Sequence, residues 1–494
     1  MMNNKNILFA NCRLITILYS LAVFVVIAFL YHSNMTGGAH DVASHYSLVN
    51  KIDKDFFILS GYTANLGEMA KYPPVAHYIA AFLNYFTDSS LLSMNLVNLM
   101  SLFAIWIVIS LILLETGPIA LIVVSLIIGW TAWHGMVLPI MGLEVIGGNF
   151  LYGQFVSTAF FVVLIYALHR SKFSLRSSLI VSLISFYVGL YVHASFALIY
   201  FAGSCFYFIF NEFIAAKEAG FVRSRILSIF GYGLVGVLFF LTHPYTKFAN
   251  EMKLHNGHLA FSYFTSSPTD LTFFGAFFIF LILFLSGIII SFYIFAPKIR
   301  KILSLNLTLV AIFLLGATCI AALQFLLFEL GEVSPYVVKK NFFALFTFSL
   351  IIIAILVEKI FIYFIPRFYD LVPLNKRVML VVFTPVLFIL ISVIYWSPSQ
   401  SSIALIMKAQ AVAKDYHARS VGDLSYQNTV AQFQEISSAS NWMITLSELE
   451  VKKHSTLFKV AGPLSKAVVE EDMHALPDTA FVLSEAREDG ISDN

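Results

Sequence analysis

The sequence predicts an all-α polytopic membrane protein that carries a small extracytoplasmic α/β domain at its C-terminus. Three observations carry the prediction: an apolar composition, a succession of runs of bilayer-crossing length, and basic residues that gather at alternate connections. Of the 494 residues, 59% are hydrophobic and 12% charged, and mean hydropathy is +0.84. That leaves too little polar surface to cover a water-soluble globule. The net charge of +2 does not imply a nucleic-acid partner, because topology accounts for most of the basic residues.

Crossing about 30 Å of hydrocarbon takes roughly 20 apolar residues in a helix. Taken in order, such runs are read at Leu14–Tyr31, Leu91–Leu114, Pro118–Leu138, Phe150–Leu168, Ile226–Leu241, Leu271–Phe295, Leu305–Phe328, Phe342–Phe364 and Val378–Tyr395. The stretch Leu179–Phe213 is about twice the length of one span, so it is expected to fold back near Tyr191 and His193 as two helices. The total is about eleven spans.

Lys and Arg near span ends are retained on the cytoplasmic side. The groups Arg170, Lys172 and Arg176, then Lys217, Arg223 and Arg225, then Lys298, Arg300 and Lys301, then Arg367, Lys376 and Arg377, all fall on one side of the count. With Lys5 and Arg13 they place the N-terminus inside, and an odd number of spans then places the long first loop (32–90) and the C-terminal tail outside. The first span is expected to begin the mature chain, because no small-residue cleavage site follows it. Cys12, Cys205 and Cys319 lie in or beside spans with no C-x-x-C spacing, so free thiols are expected.

The first outer loop departs most from lipid-facing monotony. Its first candidate helix has Val42, Tyr46 and Val49 at helical spacing, with Asp41, His45 and Lys51 on the flank. Asp41 and His45, one turn apart, share a face of such a helix. In the second, Tyr72 precedes Pro73 and Pro74, which suit a first helical turn, and Val75, Ile79, Phe82 and Phe86 form an apolar stripe. Both segments are suited to lie in the membrane interface. The plainer account is that they cap the bundle and that Asp41 and His45 form a solvated polar edge.

After Trp396 the chain turns polar, serine-rich and acidic, marking a membrane domain over 1–396 and a separate outer domain over 397–494. Ser402–Tyr416 reads as a helix, Asn441–Leu446 and Thr479–Ser484 as strands, and Glu485–Asn494 as a disordered acidic end.

The stretches Ala39-His40-Asp41 through Tyr46 and Lys71-Tyr72-Pro73-Pro74-Val75-Ala76-His77 follow closely on a first span. In this they resemble the GT-C superfamily of integral-membrane glycosyltransferases. Gly148-Asn149-Phe150-Leu151-Tyr152-Gly153-Gln154, together with His193 and His243 near outer span ends, resembles recurrent features of bacterial members. The likeness covers the organisation of Leu14–Tyr395. Its motifs are short, so it indicates a superfamily and not a substrate.

The resemblance implies a GT-C-like bundle in a bacterial inner membrane. It also implies transfer of a sugar from a polyprenyl-phosphate-linked donor to a glycan, lipid or protein acceptor on the outer face, with inversion. An acceptor hydroxyl is a poor nucleophile, and a carboxylate within hydrogen-bond reach can take its proton as the new bond forms. Asp41 stands where the family places that general base. His45 either orients the carboxylate or contacts the donor phosphate; a purely structural hydrogen bond is the other reading. The departing phosphate needs fixed positive groups or donors. Tyr336, Lys339 and Lys340, in the loop before the Phe342–Phe364 span, are candidates, and Tyr336 with Lys339 matches a tyrosine-x-x-lysine element of related proteins. Snorkelling of a lysine to the interface is the alternative.

Tyr72, His77, Glu68, Lys71 and Glu144 are further candidates, as are His134, His193 and Gln324 within the spans, since polar groups in hydrocarbon are costly. No cofactor is expected. Asp53 and Asp55 satisfy a loose aspartate-x-aspartate pattern for a divalent ion, but the intervening Lys54 opposes metal binding and a solvated loop is the simpler reading. Two other functions share this layout: a transporter or flippase of lipid-linked glycan, and an inactive GT-C-like structural subunit. A transporter places its charged groups near the bilayer midplane, on broken helices or inverted repeats. Here the strongest candidate charges, Asp41, Lys339 and Lys340, sit outside.

Overall fold

The computed structural model describes residues 72–116 apart from 88 and 89, 152–246 apart from 172 and 221, 268–295, and 305–364 apart from 334, with isolated positions in 21–25, 45–52 and 120–124. Among the described residues the regular structure is helical, with no strand. The helices are α1 (Val75–Thr87), α2 (Ser90–Thr116), α3 (Tyr152–Arg170), α4 (Leu175–Leu190), α5 (Ala194–Ala219), α6 (Arg223–Thr242), α7 (Pro268–Phe295), α8 (Leu305–Glu329) and α9 (Pro335–Phe364). Five apolar stretches among them are long enough to cross a bilayer: Leu92–Leu113, Tyr152–Arg170, Phe196–Lys217, Arg223–Thr242 and Leu307–Glu329. The chain is therefore a multi-pass helical membrane protein. The expected spans at 14–31, 118–138 and 378–395 lie largely or wholly outside the described residues, as does the C-terminal domain 397–494.

The long apolar stretch breaks where expected. The backbone N–H of Tyr191 turns back to Val188, that of His193 bonds the Gly189 carbonyl, and His193 is extended before α5 begins. The other boundaries have local causes. Ser174 caps α4 by accepting from the Ser177 N–H at 3.2 Å. Gly220 and Gly331, both at positive φ, end α5 and α8. Pro244 follows His243, whose extended backbone stops α6.

The described residues fall into two compact units, one drawn from 98–147 and 153–397 and a smaller one from 30–97 with Tyr152. The larger is built around α5 and α8, which touch backbone to backbone. A Cβ on Gly316 would lie 2.5 Å from both Cα and N of Gly203, and one on Gly203 would collide with the Phe313 ring. Apolar tails do not drive helices together in lipid, so close packing between small residues does. Around this contact Tyr200 stacks on Phe161 at 4.3 Å and Phe201 on Phe186 at 4.5 Å. Gly189 and Gly236 leave room for the Phe161 and Phe201 rings.

Buried hydroxyls in this unit form a directional chain. The Ser204 hydroxyl donates to the Phe201 carbonyl at 2.8 Å, so it can only accept from Tyr232, 2.5 Å away. The Tyr232 oxygen then accepts from Ser182 at 2.9 Å, and Ser182 accepts from Tyr200 at 2.9 Å. Every hydrogen in the run from Tyr200 to the Phe201 carbonyl is used, and α4, α5 and α6 are stitched together. Glu358 of α9 is also fully buried and accepts from the Ala120 N–H at 2.8 Å, satisfying a backbone donor of the kind left open near a helix start. At one end of the bundle Lys217 donates to the Ile294 carbonyl at 3.0 Å, and Arg225 pairs with Glu212 at 3.3 Å.

One expectation is corrected here. Tyr336, Lys339 and Lys340 lie in the first turns of α9, which starts at Pro335, and not in a loop preceding a helix at Phe342. Proline tolerates the first helical position, where its missing N–H is not needed.

Gly316→Ala should force α5 and α8 apart at a cost of about 1–3 kcal/mol, the range for overpacking. The check is the thermal unfolding midpoint of the detergent-solubilised chain, and an unchanged midpoint would contradict the backbone contact. Tyr232→Phe interrupts the hydroxyl chain with little change of shape and should cost on the order of 1 kcal/mol by the same measurement.

Candidate functional site

The smaller unit brings two of the loop histidines together. His45, Leu48, Val49 and Ile52 are all helical and all buried, a spacing that defines one helix face. His45 is therefore part of the packed stripe, at 5% exposure. The solvated polar edge considered from the sequence is overturned for this residue, because the buried stripe runs through 45, 48, 49 and 52.

His77 reaches the same place from α1. Pro73 and Pro74 lead into the helix, whose first bond runs from the Tyr78 N–H to the Pro74 carbonyl at 2.9 Å. The packed face of α1 is Ala76, His77, Ala80 and Ala81, small residues that allow close approach and leave the imidazole as the bulky group. The apolar stripe expected from the sequence points the other way: Ile79, Phe82 and Phe86, with Tyr85, are exposed.

His45 Nδ1 and His77 Nε2 are 2.7 Å apart and buried. The ring planes lie within 21° and the centroids are 5.0 Å apart. The nitrogens are thus much closer than the centroids, and the rings meet edge to edge. Tyr72 and Tyr152 wall the pair, their centroids 5.1 and 5.7 Å from that of His45 and 5.5 and 5.2 Å from that of His77. The Tyr152 hydroxyl donates to the Ala76 carbonyl at 2.7 Å, tying the start of α3 to α1 beside His77.

Burial lowers the His77 pKa from 6.5 to about 3, opposed by the Pro73 carbonyl, which favours a proton. His77 is therefore neutral near pH 7. Its Nδ1 has no partner in hydrogen-bond geometry among the described residues. The arrangement offers two buried imidazoles joined at 2.7 Å in an aromatic setting, with His77 held neutral.

Of the other residues singled out in the sequence, Asp41, Glu68, Lys71, Glu144, Asp53, Asp55 and His134 lie outside the described residues. Tyr336, Lys339 and Lys340 are placed on α9, their side chains outside the described set. Gln324 is half-buried on α8, and His193 meets Phe196 edge-on at 5.4 Å. His243 sits beyond α6, with Tyr191 and Tyr187 at 4.3 and 5.2 Å. Its Nδ1 accepts from the Tyr245 N–H at 3.4 Å, and burial lowers its pKa. Among the described residues no three His, Cys, Asp or Glu side chains converge on a possible metal position.

Tyr152 was not among the sequence candidates. Its one signal was membership of the Gly148–Gln154 stretch. Comparison with protein-family models, curated proteins and solved structures finds no match for this chain.

His77 also sets a pH dependence. Between its unfolded value of 6.5 and its folded value of about 3, the unfolded chain binds a proton that the folded chain refuses. Stability is therefore full above pH 6.5 and falls on acidification, by up to about 1.4 kcal/mol per pH unit. His77→Gln should remove that contribution, so the acid-side fall in thermal midpoint should be shallower than in the wild type. Equal slopes would contradict the buried neutral imidazole.

Proposed function

We propose that the protein is a GT-C-like glycosyltransferase of a bacterial inner membrane. Its full architecture on this reading has about eleven spans, interfacial helices in an outward-facing first loop, and a C-terminal extracytoplasmic α/β domain. It transfers a sugar from a polyprenyl-phosphate-linked donor to a cell-envelope glycan, lipid or protein acceptor. The observation that carries the reading is the buried pair His45 and His77 with Tyr72 and Tyr152. Burying two joined imidazoles costs solvation that a merely structural loop has no need to lose, and dry, perturbed histidines mark sites of proton chemistry.

In this mechanism the acceptor oxygen attacks the anomeric carbon as that carbon's bond to the phosphate oxygen breaks. The bonding electrons leave with the polyprenyl phosphate, and the hydroxyl proton passes to the Asp41 carboxylate, with inversion at the anomeric carbon. Asp41 precedes His45 by four residues in the sequence. Lys339, with Tyr336 and Lys340 beside it, serves the developing phosphate charge. The buried hydroxyls of the larger unit donate to one another in sequence, which favours surface chemistry over a polar path through the bundle.

Asp41→Asn should abolish sugar transfer from a polyprenyl-phosphate donor in membranes while expression and insertion persist, since it removes the base and keeps the shape. Undiminished transfer would remove Asp41 from the role. Lys339→Ala should weaken donor use several-fold and leave acceptor use unchanged; a loss seen only with Lys340→Ala would move the phosphate role by one residue. Movement of lipid-linked sugar across vesicles, with no new glycosidic bond, would replace this reading by transport.

A further inference from the structure

We infer that the larger unit binds one anionic phospholipid, with an acyl chain in an apolar crevice between α2, α3, α8 and α9 and the lipid phosphate on Arg170. This site is separate from the histidine pair, and it does not depend on the glycosyl-transfer reading.

The crevice is a narrow space inside the bundle, lined by aliphatic side chains such as Ile109 of α2, Val162 of α3, Val310 of α8 and Ile351 of α9. The hydroxyls of Thr158, Thr347 and Tyr166 are the polar side-chain groups of that lining. Buried water needs two to four polar partners at each position, so the aliphatic walls suit it poorly. Protein interiors leave little space of this kind, because atoms facing a gap lose their dispersion contacts. In a bilayer the molecule at hand that restores those contacts is a hydrocarbon chain.

Two features show where such a chain enters. The lining residues Ile112, Tyr166 and Leu309 each stand four residues from a helix end, at Thr116, Arg170 and Leu305. The crevice therefore reaches within about 6 Å of that end of the bundle along the helix axes. It is also less covered on one side: Val162, Ile165 and Tyr166 of α3 are half-buried, whereas its lining residues on α2 and α8 are buried. A lipid lying beside α3 has access there.

The head group is selected by charge. The Arg170 guanidinium lies 5.6 Å from the centroid of the Tyr166 ring, at cation–π distance, so a side chain that lines the crevice holds a cation at its mouth. With five N–H donors, a guanidinium can serve a phosphate alongside its other contacts. Lys172 and Arg176 follow in the connection to α4, and the sequence has no Asp or Glu between Glu144 and Glu212. Basic residues at a membrane surface attract anionic lipid. They disfavour a head group that carries its own ammonium.

The test is native mass spectrometry of the detergent-solubilised full chain, with dioleoyl-phosphatidylglycerol or dioleoyl-phosphatidylcholine added. The wild type should retain one phosphatidylglycerol, several-fold more readily than phosphatidylcholine. Arg170→Gln should abolish that preference, and Val162→Phe, which fills the crevice, should lower retention of both lipids several-fold. A phosphatidylglycerol carrying a diazirine on its acyl chain, irradiated with the wild type in nanodiscs, should mark the buried Ile109 and Val310 as well as exposed side chains such as Phe230. Equal retention of the two lipids by the wild type, or a preference that survives Arg170→Gln, overturns the phosphate contact. Unchanged retention in Val162→Phe overturns the crevice as the chain site. Adducts confined to exposed side chains do the same, even if Val162→Phe fails to fold.

Discussion

The close approach of Gly203 to Gly316 is the constraint around which the larger unit is arranged. Water does not squeeze helices together inside a bilayer, so association depends on how closely backbones approach and on whether buried polar groups find partners. Two side-chain hydrogens facing each other allow α5 and α8 to touch, and that contact brings the Phe313 ring over Gly203. The neighbouring stacks, Phe161 on Tyr200 and Phe186 on Phe201, occupy space that glycines leave at Gly189 and Gly236. The same geometry sets the spacing at which Ser182, Ser204, Tyr200 and Tyr232 link hydroxyls.

The two units treat buried polarity differently. In the larger one the hydroxyl chain closes on the Phe201 carbonyl, so it stiffens the bundle and presents nothing to a ligand. In the smaller one two imidazoles meet edge to edge at 2.7 Å between the rings of Tyr72 and Tyr152. α1 makes this possible by packing through alanines, which lets the bulky His77 ring enter the core while Phe82, Tyr85 and Phe86 stay on the outer face. Those aromatic rings carry no charge and suit a membrane interface. The helix thus joins a lipid-compatible surface to a buried ionisable group.

Much of this was legible along the chain. The fold-back near Tyr191 and His193 follows from length alone, and the helices over 91–114, 150–168, 226–241 and 305–328 follow from unbroken apolar runs. Pro73 and Pro74 announce the start of α1 because proline suits a first helical turn. Other features resist such reading. The apolar stripe of Ile79, Phe82 and Phe86 was visible, but periodicity cannot say whether a stripe meets protein or lipid, and these side chains are exposed. The α9 start was misplaced because Tyr336, Lys339 and Lys340 look polar, although polar residues extend a helix readily beyond the hydrocarbon.

The sequence by itself determined the class, a helical membrane protein, since composition and run length report directly on the solvent the chain must meet. It also marked Asp41, His45, Tyr72 and His77 as candidate residues of the first outer loop. Only the tertiary structure decided that His45 and His77, far apart in the chain, share one hydrogen, that Tyr152 completes their enclosure, and that Gly203 needs Gly316. These are pairings across separate segments. Periodicity encodes which face of a helix is apolar, but not which other helix will meet it.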